Sequence, residues 1–484
     1  TVYTVSNDAN GYPTKLTKEF TIPMGLGAGM SDFAWDYADN VYAVCYSAEK
    51  LVAYALPYSS NRVVSTPAAD KYTFTLPGTP DPDTEPEPTP QQVGMNPFAY
   101  ALSSSMNEEG TMLTVNYTLN ADAADVKVIV ASGKEDITTI AAEGKTQGVH
   151  TLQIPTTSFP KNTTITWRVE VTGEELQDVA FVDNSVKMFC PTSIDIDNNP
   201  ENENFGTVFV VEGKNDAKNN YDYAYCLSYV DGAGLYLLDA DGQPRTIPNQ
   251  NKVRYGYNGG SGRVSQSNLY FNGTKQDAYS PYRVRISDDG RIFISSLSPD
   301  GQVLWEADAT VFSRPNAPGW STKTGWSRVM SDQNANTYMA TEKRSCSHTY
   351  CGINSLFTSD TKKFLAGPNI GFDVQGSGKD LKLLMLSGCK DAIVTGTASH
   401  FYCSEYDLGN AKVWTSVPSR EIFRGHVLGY YGTQVQYDKN GNVWMGQQSS
   451  GTDAATLMKF KVDGTTSTVS TESFIAKYAT PFTK

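Results

Sequence analysis

Cysteine is scarce in this chain of 484 residues: Cys45, Cys190, Cys226, Cys346, Cys351, Cys389 and Cys403 are too scattered for a disulfide framework. Cys346 and Cys351 are close enough to bridge as a small loop in an oxidising compartment. With His348 between them they offer three zinc donors but no fourth at a recognisable spacing, so no metal site is read there. The remaining cysteines are read as small buried apolar residues. Histidine is equally sparse, and His150, His348, His400 and His426 form no metal-binding spacing. No run approaches the roughly 20 apolar residues of a membrane helix, and no signal peptide opens the chain, so Thr1 is expected to begin a processed, trimmed or partial chain. Positive charge is in the minority, 39 Lys and Arg against 52 Asp and Glu. The net charge of −13 argues against nucleic acid and against charge-driven binding to anionic membrane. A Gly-x-Ser-x-Gly elbow is missing, so a serine nucleophile of that kind has no support. The glycine runs Gly25–Gly29 and Gly259–Gly262 open no helix after a strand and cradle no phosphate. No cofactor is expected.

What the chain does have is one phrase, repeated. It reads Asp36-Tyr37-Ala38-Asp39-Asn40-Val41-Tyr42, then Ser287-Asp288-Asp289-Gly290-Arg291-Ile292-Phe293, then Asp438-Lys439-Asn440-Gly441-Asn442-Val443-Trp444. A fainter copy is Phe205-Gly206-Thr207-Val208-Phe209. Each copy carries Gly or Asp where positive φ is easiest, then a polar residue, an aliphatic and an aromatic. The residues before it alternate: Phe33 and Trp35, Val284 and Ile286, Val435 and Tyr437. Strand, tight turn and strand make a β-hairpin, and the same hairpin recurring along a chain is the signature of a propeller.

Residues 1–76 are expected to form a propeller blade, residues 77–94 an acidic proline-rich linker, and residues 191–484 the rest of the propeller. Between them, residues 95–190 change character. Met112–Leu119, Val126–Val130 and Thr164–Val171 alternate cleanly between turn signals, which describes a small immunoglobulin- or fibronectin-like β-sandwich with Trp167 in its core. The expected fold is therefore all-β, a six- or seven-bladed β-propeller with a sandwich. Residues 191–484 with 1–76 supply enough chain for that many blades at roughly 45–55 residues each. Residues 1–76 either close this ring beside the last blade, the favoured arrangement, or belong to an upstream copy or a displaced segment. The acidic joint Ser193–Asn204 lacks the Gly and the terminal Glu of an EF-hand loop, so a solvated turn is read in place of a calcium site.

The phrases around Asp197–Val210, Ser280–Phe293 and Asp36–Tyr54 resemble those of Bacteroidetes surface lipoproteins in which an immunoglobulin-like domain accompanies a β-propeller. Such proteins accompany SusC/SusD-type uptake systems. The resemblance implies an outer-membrane, cell-surface location and a part in nutrient capture, with a SusC/SusD-type transporter complex and a glycan or peptide ligand as partners. It also implies membrane attachment only through a lipid anchor, which is expected to lie outside this sequence.

Candidate chemistry falls into two groups. Carboxylates are plentiful at Asp32, Asp36, Asp288, Asp289, Asp373 and Asp438, and a glycosidase needs only two at the right separation. Several of them repeat with the turns, where Asp makes its own local hydrogen bonds, and repetition argues for structure. The aromatics make the better case. Trp320, Trp326, Tyr279, Tyr430 and Tyr431 lie in or beside segments of loop composition, with Arg424 and His426 close by. Exposed rings can stack on sugar faces or peptide side chains while Arg and His supply hydrogen bonds; the same rings can also wedge between blades. Trp35, Trp305 and Trp444, on strands, are read as core. The leading function is non-catalytic binding, or an accessory role, in nutrient uptake. The alternative is a propeller hydrolase or lyase acting on glycan through paired carboxylates near a central channel.

Overall fold

The computed structural model describes residues 2–7, 9, 13–22, 31–45, 50–59, 61–73, 95–188, 191–212, 234–243, 263–271, 274–279, 281–298, 301–307, 326–329, 362–364, 372–391, 399–407, 420–426, 431–448, 456–460 and 478–479. Among them the chain is all-β, with single 3-10 turns at Thr156–Ser158 and Gly378–Asp380.

β1 (Val2–Asn7) and β2 (Pro13–Phe20) form a hairpin. β3 (Ser31–Trp35), β4 (Asn40–Cys45) and β5 (Lys50–Ala55) follow as an antiparallel meander. The chain then leaves that sheet. β6 (Val63–Pro67) and β7 (Tyr72–Thr73) join a sandwich completed by β8 (Ala99–Met106), β9 (Met112–Leu119), β10 (Asp125–Ser132), β11 (Glu135–Ala141), β12 (Gly148–Pro155) and β13 (Thr164–Thr172). Its two sheets run β12-β9-β8 and β11-β10-β13-β6, with β7 also on β13. β14 (Ala180–Lys187) returns to pair with β5, completing a first sheet β14-β5-β4-β3. β15 (Pro191–Ile196), β16 (Val208–Glu212) and β17 (Gly234–Leu238) make the second. After the hairpin of β18 (Arg263–Phe271) and β19 (Thr274–Tyr279), the third sheet is β20 (Pro281–Ile286), β21 (Ile292–Ser298), β22 (Gly301–Ala307) and β23 (Trp326–Val329). The fourth pairs β24 (Lys362–Phe364) and β25 (Phe372–Gln375) with β26 (Lys382–Asp391), then adds β27 (Ser399–Asp407) and β28 (Arg420–His426). The fifth is β29 (Tyr431–Tyr437), β30 (Val443–Gln448), β31 (Thr456–Phe460) and β32 (Tyr478–Ala479).

The five meanders stand in file: β15 packs against β3 and β20, and β25 against β20 and β29. The expected boundaries cut across these sheets. Residues 63–73 belong to the sandwich and residues 180–187 to the first sheet, so the sandwich is an insertion between the third and fourth strands of that sheet. The physical reason is that alternation marks a strand with one buried face but not the sheet that buries it. The proline-rich stretch 77–94 lies outside the described residues.

The repeated phrase has one geometry. Asp36 N donates to Asn40 O (2.9 Å) and Asp39 N to Asp36 O (3.1 Å); Ser287 and Arg291, and Asp438 and Asn442, close in the same way at 2.9 and 2.8 Å. The fourth residue is left-handed in each, with φ of 64° at Asp39, 75° at Gly290 and 78° at Gly441. This is a type I turn followed by a bulge residue. The fainter copy closes likewise across a longer loop, Asp197 N to Thr207 O and Gly206 N to Asp197 O. The segment Asp239–Gln243, which the sequence reading passed over, is a further copy.

The sandwich core holds Leu113, Val115, Tyr117, Leu119, Val128, Val169 and Trp167, whose indole donates to Ser104 Oγ at 3.0 Å. A neutral joint fixes the sandwich to the first sheet. Asn96 N donates to Asn40 Oδ1 (2.7 Å), Asn96 Nδ2 to Ala38 O and Leu56 O, and Phe98 N to Asn120 Oδ1 (2.7 Å). Tyr37, Phe98, Tyr100 and Phe205 pack beside these amides. Burying so many satisfied amides makes the joint a rigid one.

Candidate functional site

The first strand of a meander has one edge paired with its second strand and one edge bare, and a bare edge needs hydrogen-bond partners. Here the neighbouring sheet supplies them. Asp32 Oδ2 accepts Ile194 N (3.4 Å) and Ser193 Oγ accepts Val284 N (3.2 Å). Two residues further along each strand, Asp195 Oδ2 accepts Ile286 N (2.8 Å), and Asp373 Oδ2 accepts Tyr437 N (2.7 Å). The turns interlock as well: Trp35 O accepts Asn198 Nδ2, Asp288 O accepts Asn199 Nδ2, Gly376 N donates to Asp288 Oδ2, and Asp438 O accepts Gln375 Nε2. All the turn ends of the file therefore lie on one rim.

Beneath that rim lies a buried ionic cluster. Arg285 Nη1 stands 3.3 Å from Asp32 Oδ2, and Arg283 Nη1 stands 3.5 Å from it. Arg285 Nε is 3.9 Å from Asp373 Oδ1. Ser193 Oγ donates to Asp32 at 2.6 Å. Burial opposes ionisation of Asp32, but Arg285 and Arg283 overcome it and hold the carboxyl below its ordinary range. Burial wins at the other two acids: it pushes Asp195 up to about 6 and Asp373 to about 7, against the pull of Arg285. The guanidinium of Arg285, desolvated but ringed by three carboxylates, is held firmly protonated. Nearby, Glu405 accepts Tyr437 OH (3.0 Å), Lys382 Nζ (3.2 Å) and Arg420 Nη2 (3.4 Å).

The plentiful carboxylates thus have structural work. Asp36 accepts from Ala38 N and Asn40 N, Asp438 from Asn440 N and Asn442 N, Asp289 from Gly378 N, and Asp288 from Gly376 N. Asp32 and Asp373 bind the neighbouring sheet. Sequence reasoning missed Ser193, Asp195, Arg283 and Arg285. Their signal was present, polar residues alternating with Ile194, Ile196, Val284 and Ile286, but that alternation ordinarily means a solvent face.

The candidate ligand residues divide between the two rims. Trp326 begins β23 opposite Ala307, which pairs with Ile292 just after the turn, so Trp326 belongs to the turn rim. Tyr431 begins β29 opposite Gln448, at the end away from the turn. Arg424 and His426 lie at the corresponding end of β28, opposite Tyr402 and His400. Tyr279 ends β19, directly before the far end of β20. Trp320, Tyr430 and the pair Cys346 and Cys351 lie outside the described residues. His150, on the sandwich surface, bonds Thr146 O through Nε2 at 2.6 Å and stacks against Tyr117. Among the described residues, no three His, Cys, Asp or Glu side chains are arranged to hold a metal, and no helix is long and apolar enough to cross a membrane. A search of protein-family models and a search of curated proteins each found no match to the chain.

Proposed function

We propose that the five meanders are blades of one propeller, and that the chain is a non-catalytic binding or accessory component of nutrient uptake at a bacterial outer membrane. It presents a glycan or peptide to a SusC/SusD-type complex at the cell surface. One observation carries this reading: Tyr279, Arg424, His426 and Tyr431 come from successive parts of the file yet share the rim opposite the turns. Strand ends that carry Tyr, Arg and His residues along one rim suit a site that stacks on an apolar face with hydrogen bonds around it. The sandwich, fixed through buried amides and not through a flexible hinge, gives that rim a constant orientation toward whatever the sandwich docks against. The lipoprotein setting comes from the resemblance of the repeated phrases alone.

The alternative hydrolase or lyase requires two carboxylates free to act, and Asp36, Asp288, Asp289, Asp373 and Asp438 each already accept a backbone N–H. The test is binding on glycan and peptide arrays by the full chain and by Arg424→Ala, His426→Ala and Tyr431→Ala. A signal lost in all three variants and kept in Trp326→Ala places the ligand on the far rim. Binding that none of the four changes, or turnover of a glycan abolished by Asp373→Asn, overturns the proposal.

A further inference from the structure

The junctions of the file share one side-chain code. The residue three before the turn faces the preceding sheet: it is Ile194 in the second sheet, Val284 in the third and Val435 in the fifth, each 0% exposed. The matching residue of the first sheet is Phe33, and it is 53% exposed. The aromatic of the repeated phrase faces the other way, toward the following sheet, as the register partner of the residue two before the turn. Tyr42, Phe209 and Phe293 are fully buried in that role. Trp444 of the fifth sheet is only half-buried, and its partner Gln436 is exposed. Among the described residues the file therefore ends in two unfinished faces, and each carries the residues that one half of a completed junction carries.

The hairpin β1–β2 does not finish the first face. Its Val2 and Phe20, with Ile22, pack against Val41, Ala43, Val52 and Tyr54 on β4 and β5, while Phe33 on β3 stays bare. At the other end the Trp444 ring is already fixed in place: its Nε1 donates to Asp438 at 3.1 Å, and Lys459 Nζ lies 4.9 Å from the ring centroid.

We propose that the open face of the fifth sheet seats on Phe33 of the same chain, so that β29 stands beside β3 and the file closes into a ring of five blades, fewer than the six or seven that chain length alone suggests. This deepens the propeller reading above and rests on it. The completed junctions define the fit. Ala34 and Ile194, the equivalents of Gln436 and Phe33, share one core cluster, and a side-chain acceptor on the leading strand meets an N–H of the strand that follows. Gln434 and Gln436 occupy the strand positions of Ser193 and Asp195, and both are neutral residues. Burying them beside Phe33 and Trp35 costs no charge, where an acid would need an arginine as Asp32 does. One chain carries both faces, so their meeting is an intramolecular event favoured over association with a second copy.

The test is a pair of cysteines, Phe33→Cys with Gln436→Cys, treated with a short bis-maleimide. Crosslinked peptides are identified by mass spectrometry, and each single variant controls for the native cysteines. Ala34→Cys with Ile194→Cys, the equivalent pair across a completed junction, is the positive control. The expected result is a crosslink within one chain, at the yield of the control and unchanged on dilution. Crosslinked dimers whose yield falls on dilution would show that the faces take a second copy and would overturn closure. So would loss of the crosslink in the test pair while the control reacts. Because Ala34 and Ile194 are buried, both pairs are also treated during refolding from urea, and failure of the control under those conditions would sink the file of sheets and the propeller reading with it.

Discussion

Two joints hold this molecule together, and they are built from opposite chemistry. Between the sandwich and the first sheet lie Asn40, Asn96 and Asn120 with Tyr37, Phe98, Tyr100 and Phe205, an assembly of amides and rings with Asp36 at its margin. Among the first three sheets and the fourth lie Asp32, Asp195 and Asp373 around Arg285 and Arg283. The amide joint satisfies its polar groups pairwise and without charge. The ionic joint gathers three acids against two arginines, and Arg285 Nη2 has no hydrogen-bond partner among the described residues. The amide joint should be indifferent to salt and should respond to pH only through Asp36; the crowded ionic one should be sensitive to both.

Breaking the ionic joint gives the largest expected effect. Arg285→Met removes the charge that three buried or part-buried carboxylates share. Stripping one partner from a buried ion cluster costs about 3–5 kcal/mol. Asn96→Ala at the amide joint leaves the backbone bond to Asn40 Oδ1 in place but strands the carbonyls of Ala38 and Leu56, for about 1–3 kcal/mol. Urea unfolding of both variants measures the difference. Equal losses would show that the two joints are not energetically distinct.

The pH dependence sharpens the same comparison. Asp195 at about 6 and Asp373 at about 7 hold their protons more tightly in the folded chain than in the unfolded one. Their contribution is complete below the ordinary carboxylate range and is lost as pH rises through 6 to 7. Asp32 runs the other way: its pKa is depressed, so its contribution is present above the ordinary range and lost as pH falls. Stability should therefore decline between about pH 4 and 7, on the order of 1 kcal/mol because Asp373 keeps some solvent contact. Asp373→Asn should flatten that limb. Asp36, pushed to about 7 chiefly by burial, adds to the decline from the amide joint's margin, so the limb should shrink in Asp373→Asn without vanishing. Denaturation midpoints across pH, in both proteins, read this out.

The hairpin repeat was legible because its geometry is local. A type I turn with a left-handed fourth residue is specified by Asp, Gly and Asn over five positions, and the structure forms it at Asp36, Ser287 and Asp438. Trp167 was legible as core for a similar reason, alternation around a large apolar residue. The insertion of the sandwich was not legible, since the pairing of β14 with β5 joins residues more than a hundred positions apart. The ionic joint was hidden too. Ser193 and Asp195 alternate with isoleucine just as a solvated strand would, and only the arrival of β20 makes that face an interior one. The candidate ligand residues were gathered by composition, and composition carries no record of which rim a strand ends on; Trp326 and Tyr431 parted for that reason.

The bulge position separates local from tertiary cost in the smaller effects. At Gly290, φ is 75° and an added Cβ would stand 3.1 Å from Asn202, whose side chain donates to Asp288 O. Gly290→Ala should therefore cost about 1–2 kcal/mol, left-handed strain plus a displaced inter-sheet bond. Asp39 holds the same conformation in the first sheet without glycine, and its carboxylate pairs with Arg62. Asp39→Gly relieves the backbone there but loses an ion pair whose partners are both substantially in solvent, and such a pair is worth about 0–1 kcal/mol. The two terms oppose each other, so thermal unfolding of Asp39→Gly should move by less than about 0.5 kcal/mol in either direction. A large loss at Asp39 would mean that its pairing with Arg62 anchors the approach of the chain to β6, and the amide joint would then carry an ionic clasp of its own.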